Sequence, residues 1–162
     1  MPTWEHLGKT IPSSTLSFVN VVINRKIKKK NLNIDYCWRK APSGFVKLHF
    51  DACLDQNGNM VSDVLTRDAI GEIICAWIER DVAEKAFKAD AELALLALKV
   101  AQNRGYSKAI FEGDALHIVR TLNGHAVKMD WIGIPIIEVA LRILASKPQW
   151  SHLSSTYPLL YM

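Results

Sequence analysis

Three acidic segments of this chain could do chemistry together: Phe50-Asp51-Ala52, Asp90-Ala91-Glu92-Leu93 and Glu112-Gly113-Asp114. Each lies where a regularly patterned apolar segment begins or ends, which is how folds gather carboxylates from distant parts of a chain around a divalent cation. Carboxylate oxygens are hard ligands, and no histidine or cysteine cluster accompanies them, so the chemistry is that of Mg²⁺ or Mn²⁺ rather than zinc. Each acid also has a plain structural use. Asp51 can form a turn at a strand end, Glu92 can be an exposed helix acid, and Asp114 can be a helix N-cap.

The elements that must position these acids are legible from periodicity and turn residues. Val46, Leu48 and Phe50 alternate with Lys47 and His49, the period of a strand with one buried face, ending at Asp51. Asn57-Gly58 marks a loop, Val61–Arg67 a second strand, Asp68–Gly71 a turn and Glu72–Ile78 a third strand. The spacing then predicts a helix over Asp90–Arg104 with Gly105 as its C-cap, a strand over Lys108–Glu112 and a helix over Ala115–Leu122. A helix over Ile132–Ser146, with Pro135 in its first turn, and a last strand over Gln149–Leu153 complete an α/β chain. If the three-stranded meander rises, falls and rises, the first helix starts at the top edge and descends. The fourth strand must rise again beside the first. Asp51, Glu92 and Asp114 are thereby expected at one edge, the carboxyl end of parallel strands, where open α/β sheets bind ligands.

The bulk properties fit one domain in a chain of 162 residues. No apolar run reaches the roughly 18 residues a membrane helix requires, so no membrane partner is expected. Residues 1–50 hold 9 basic and 2 acidic side chains, leaving 11 basic and 14 acidic for the rest. Much of the excess is Arg25-Lys26-Ile27-Lys28-Lys29-Lys30, suited either to a solvated linker or to binding phosphates or serving as a nuclear signal. Residues 1–44 read as a basic arm, 45–153 as the domain and 154–162 as an atypical tail. Cys37, Cys53 and Cys75 fit neither a disulfide framework nor a zinc pattern. A reduced intracellular compartment follows, nucleus or cytoplasm, with an organelle transit peptide left open. Cys53 and Cys75 are expected as small buried hydrophobes, and Trp77, Trp131 and Trp150 as core.

Taken in order, Trp38, Pro42, Gly44, Val46–Ala52, Arg67-Asp68, Gly71, Ala91–Leu95, Phe111–Ala115 and Trp131 resemble the RNase H superfamily. The likeness is to the plant RNase H-like domain related to retroelement reverse transcriptases, over roughly residues 38–153. It implies an RNase H-like fold, a five-stranded mixed sheet in the order 3-2-1-4-5 with helices packed on it. It also implies two-metal endonucleolytic cleavage of the RNA strand of an RNA/DNA hybrid. By position, Asp51, Glu92 and Asp114 would be the catalytic and metal-binding acids, Asp51 bridging both ions. The implied partner is an RNA/DNA hybrid or duplex RNA, engaged by a monomer. Relatives carry a fourth acid after the last strand, whereas Ser154–Met162 has no carboxylate side chain, so impaired activity is expected. A catalytically degenerate nucleic-acid-binding module and a retroelement-derived fragment are the alternatives. Asp63, where relatives usually have glycine near the start of strand two, is a second departure.

Overall fold

A computed structural model describes residues 40–54, 57–82, 85–150 and 152–155, the last four by backbone alone. They belong to a compact unit that begins at Lys40. In chain order the elements are β1 (Val46–Leu54), β2 (Asn59–Arg67), β3 (Ile73–Val82), α1 (Ala86–Asn103), β4 (Ala109–Gly113) and α2 (Leu116–Leu122). A single 3₁₀ turn (Trp131–Gly133), α3 (Ile134–Ala145) and β5 (His152–Ser155) follow. The basic run 25–30 and the tail beyond Ser155 lie outside the described residues.

The strands hydrogen-bond in the order β3-β2-β1-β4-β5. β1 pairs antiparallel with β2, and β2 with β3; β4 runs parallel to β1, and β5 parallel to β4. The first turn residues act as their chemistry dictates. Asp68 Oδ1 accepts from the backbone N–H groups of Ile70, Gly71 and Glu72, closing the β2–β3 hairpin.

Alternation decides which side of β1 faces the core. Leu48 and Phe50 are fully buried in the main cluster with Val64, Phe111 and the inner face of α1, and Ala52 packs on the same side. α1 approaches the sheet closely because its inner face is small: Ala89, Ala91, Ala94, Ala97 and Ala101 are buried together with Leu93, Leu98 and Val100. Fully burying a side chain such as Phe50 or Leu98 stabilises the fold by about 1.5–3 kcal/mol. Beside β4, Phe111 packs edge-on against Trp150, and the indole of Trp150 donates to the Tyr106 carbonyl at 3.0 Å.

Several boundaries depart from the sequence expectation. β1 continues through Leu54 instead of stopping at Asp51, because β2 keeps pairing with it: Ala52 with Ser62, Cys53 with Val61 and Leu54 with Met60. What ends near Asp51 is the ladder to β4, whose last rung is Phe50–Gly113. α1 starts at Ala86, so Asp90 and Glu92 lie in its second turn rather than at its start. Asp114 is not an N-cap; Ala115 holds that position with no capping side chain. Cys75 is buried as expected, but Cys53, on the side of β1 away from the core, is exposed. Trp131, expected in the core, is 74% exposed, whereas Trp150 is buried.

Candidate functional site

The acidic edge is built on the β1–β4 junction. Phe50 and Gly113 form its last rung, so Asp51, still within β1, and Asp114, in the bend just past β4, each follow it by one residue. The close approach depends on Gly113: a Cβ there would overlap the Phe50 ring. Asp51 is 7% exposed, while Asp114 stands in solvent at the turn into α2.

By alternation, however, the Asp51 side chain falls on the side of β1 that carries Lys47 and His49, opposite Leu48, Phe50 and α1. Its cross-strand neighbour there is Asp63 of β2. The same side holds a buried ion pair, Lys47 Nζ to Glu112 Oε1 at 2.8 Å. Glu92, from α1, turns instead to Lys88 one helical turn earlier, Nζ to Oε1 3.7 Å, with both side chains more than a third exposed.

The acid that does meet Asp114 is Asp90. Burial, and secondarily the negative charge of Asp114, push the Asp90 carboxyl up to about 6. Next to it stands His117, its Nε2 3.5 Å from Asp90 Oδ2, too long for a good hydrogen bond. Burial holds the His117 imidazole below its ordinary value, against an opposing pull from Asp114. The ring stacks on Phe87 at 5.1 Å between centroids. Asp90 and His117 were not singled out from sequence. The available signal was that each lies within one helical turn of a named acid, Glu92 and Asp114 respectively.

The topology therefore brings Asp51 and Asp114 to adjacent positions on one edge but does not gather Asp51, Glu92 and Asp114 into a cage. Among the described residues no three Asp, Glu, His or Cys side chains come together in a way that could hold a metal ion. Three carboxylates suit a hard divalent ion in kind, yet as placed they do not fit a metal centre. The reason is visible: Asp51 is on the far side of β1 opposite Asp63, Glu92 is drawn to a lysine, and Asp114 meets Asp90 instead of either.

Comparison with known proteins places this edge in context. Among solved structures the chain is similar to RNase H1 from the archaeon Halobacterium salinarum, with TM-score 0.62 and 18% identity over 68% of this chain and 84% of that one. It is similar to LC11-RNase H1 in complex with an RNA/DNA hybrid, with TM-score 0.61 and 15% identity over 68% and 83%. The N-terminal RNase H domain of a Mycobacterium tuberculosis protein gives TM-score 0.56 and 18% identity over 68% and 84%. At these identities the likeness establishes an α/β RNase H-like fold. No curated protein matches the chain. No helix among the described residues is long and apolar enough to cross a membrane. The profile of the reverse transcriptase-like family matches residues 49–132, spanning β1 through the first residues of the 3₁₀ turn and all three acidic segments. The chain belongs to the reverse transcriptase-like family.

Proposed function

We propose that this chain engages RNA/DNA hybrids, with duplex RNA as a second ligand of similar A-form shape. In this reading Asp51, Glu92 and Asp114 are the acids on which Mg²⁺- or Mn²⁺-dependent cleavage of the RNA strand depends. The observation that supports it is the register of β1 and β4, whose last rung, Phe50–Gly113, is followed by Asp51 on one chain segment and Asp114 on the other. Family membership and the RNase H-like fold support it, as does the hybrid bound by one structure of that fold. As placed the three acids form no metal centre: for them to act together the Asp51 end of β1 must shift, and Glu92 must also leave Lys88. An exposed pair of this kind is worth only about 0.3–0.5 kcal/mol, so it does not lock the carboxylate away. The basic residues 25–30 would add phosphate contacts, seen as a steeper loss of affinity with salt.

The test is a labelled hybrid incubated with Mg²⁺ or Mn²⁺ and either wild type or Asp51→Asn. Metal-dependent cleavage that disappears in the variant, with binding kept, is the expected result. Binding without turnover by wild type under both metals removes the nuclease reading. That outcome is the second reading, a nucleic-acid-binding module, and one observation favours it: the described acids form no metal-holding group.

A further inference from the structure

Trp131 has the highest fractional exposure, 74%, of the large hydrophobic side chains standing out from the described residues. An isolated exposed tryptophan is unremarkable on a mobile loop, but this one stands on a fixed base. Its 3₁₀ turn is capped by Asp130, whose side chain accepts from the Ile132 N–H at 3.4 Å and whose carbonyl accepts from the Gly133 N–H at 3.0 Å. Lys85 Nζ donates to Asp130 Oδ2 at 3.1 Å, tying the turn to the start of α1. These hydrogen bonds hold the Asp130 carboxyl below its ordinary value. Gly133 lies so close to Phe87 that a Cβ would overlap the ring.

The base of this turn connects directly to the acidic edge. Phe87, under Gly133, stacks on His117; His117 faces Asp90; and Asp90 feels the charge of Asp114. The turn that carries Trp131 is thus joined to the acidic edge through a continuous series of neighbouring side chains. The exposed Lys128 before the turn supplies positive charge, while that of Lys85 is offset by Asp130. The other apolar exposure nearby is smaller: Ile134 at the start of α3 is 38% exposed, and Val139 and Leu141 further along it, 40% and 38% exposed, are interrupted by the solvated Glu138–Arg142 pair.

We propose that Trp131 is a stacking platform for an unpaired nucleobase, so that the chain prefers hybrids flanked by a single-stranded overhang. The inference rests on the nucleic-acid reading above and adds a substrate feature to it. Bases inside a duplex have both faces covered and a terminal pair exposes only one, so the unpaired base of an overhang is the one free to swing onto the indole. Stacking adds affinity that is insensitive to salt, unlike phosphate contacts, which release counterions.

The experiment compares fluorescence anisotropy of blunt hybrids with hybrids carrying a short 5′ or 3′ overhang, across a salt series, for wild type, Trp131→Phe and Trp131→Ala. Wild type should bind one overhang form about tenfold more tightly than the blunt form. Trp131→Ala should lose that gain with the salt slope and thermal midpoint unchanged, and Trp131→Phe should keep part of it. Equal affinity of wild type for blunt and overhang hybrids overturns the platform but leaves hybrid binding standing. No binding of any hybrid by wild type overturns both. If Trp131→Ala binds every form as wild type does but changes the oligomeric state, Trp131 is a protein contact and the platform is wrong.

Discussion

Lys47 Nζ sits 2.8 Å from Glu112 Oε1 across the parallel junction of β1 and β4, with the two side chains 6% and 16% exposed. An ion pair this far from water costs much of its own attraction in desolvation, yet losing one partner is worse than losing both. It ties β1 to β4 just below the edge that carries Asp51 and Asp114.

Glu112→Gln should therefore destabilise the protein by about 1–3 kcal/mol, by removing the charge that Glu112 sets against the Lys47 ammonium. The double variant Lys47→Met, Glu112→Leu should recover most of that loss. Urea unfolding with an unchanged m-value is the measurement. A Glu112→Gln variant as stable as wild type would mean that the pair adds nothing at this junction.

Asp90 makes stability depend on pH in a defined direction. Its folded value of about 6 lies above the 3.8 of the free side chain, so between these the folded state holds more protons than the unfolded one. Stability then falls as pH rises from about 4 to 6, and the full penalty persists above. Asp90→Asn should gain about 1 kcal/mol at pH 7.5, allowing for the partial exposure of the group. That gain should fade as pH drops below 5. His117, held below its ordinary 6.5, contributes the opposite slope, stability being lost as pH falls through that range. Thermal melts of both proteins from pH 4 to 8 read the difference directly; a gap that widens toward acid would contradict the assignment.

Gly113 is where the edge is most sensitive to volume. Gly113→Ala should cost roughly 1–3 kcal/mol by driving a methyl into Phe50, and should displace Asp114 at the same time. Phe50→Leu in the same chain opens space and should restore part of the stability. If cleavage of a hybrid is seen in wild type, Gly113→Ala should lower it more than its stability loss explains. A fully stable Gly113→Ala protein would show that the strands part easily here.

Much of this architecture was written in period and punctuation. The alternation of Val46–Phe50, the Asp68–Gly71 turn and the Gly105 stop place β1, β3 and α1 to within a few residues, and topology then orders β3-β2-β1-β4. The side of β1 on which Asp51 falls was also readable. Once Leu48 and Phe50 are inward, Asp51 and Cys53 must alternate outward for as long as the strand continues. The strand was expected to end at Asp51, which would have freed its side chain from that parity. Cross-strand pairing with β2 decides otherwise, and such long-range pairing has no local signature. Trp131 was unreadable for a related reason. It stands in the 3₁₀ turn ahead of α3, where no helical period assigns it a side, and the packing of Gly133 on Phe87 sets how the turn sits. The pairing of Glu92 with Lys88 is a rotamer preference between two solvated groups, below the resolution of any pattern.

That last pair gives the sharpest test of the proposed acids. Lys88→Ala removes the cation that holds Glu92 and should change stability by less than about 0.5 kcal/mol, as expected for an exposed pair one turn apart on a helix. If Glu92 belongs to the working site, freeing it should raise Mn²⁺-dependent cleavage of a hybrid by up to about twofold, the most that a pair worth about 0.5 kcal/mol can hold back. The increase should vanish in Lys88→Ala, Glu92→Gln. Loss of cleavage in Glu92→Gln with no gain in Lys88→Ala would show that Lys88 never restrained the carboxylate. Cleavage that survives Glu92→Gln would remove Glu92 from the site and leave Asp90 as the acid of α1 that meets Asp114.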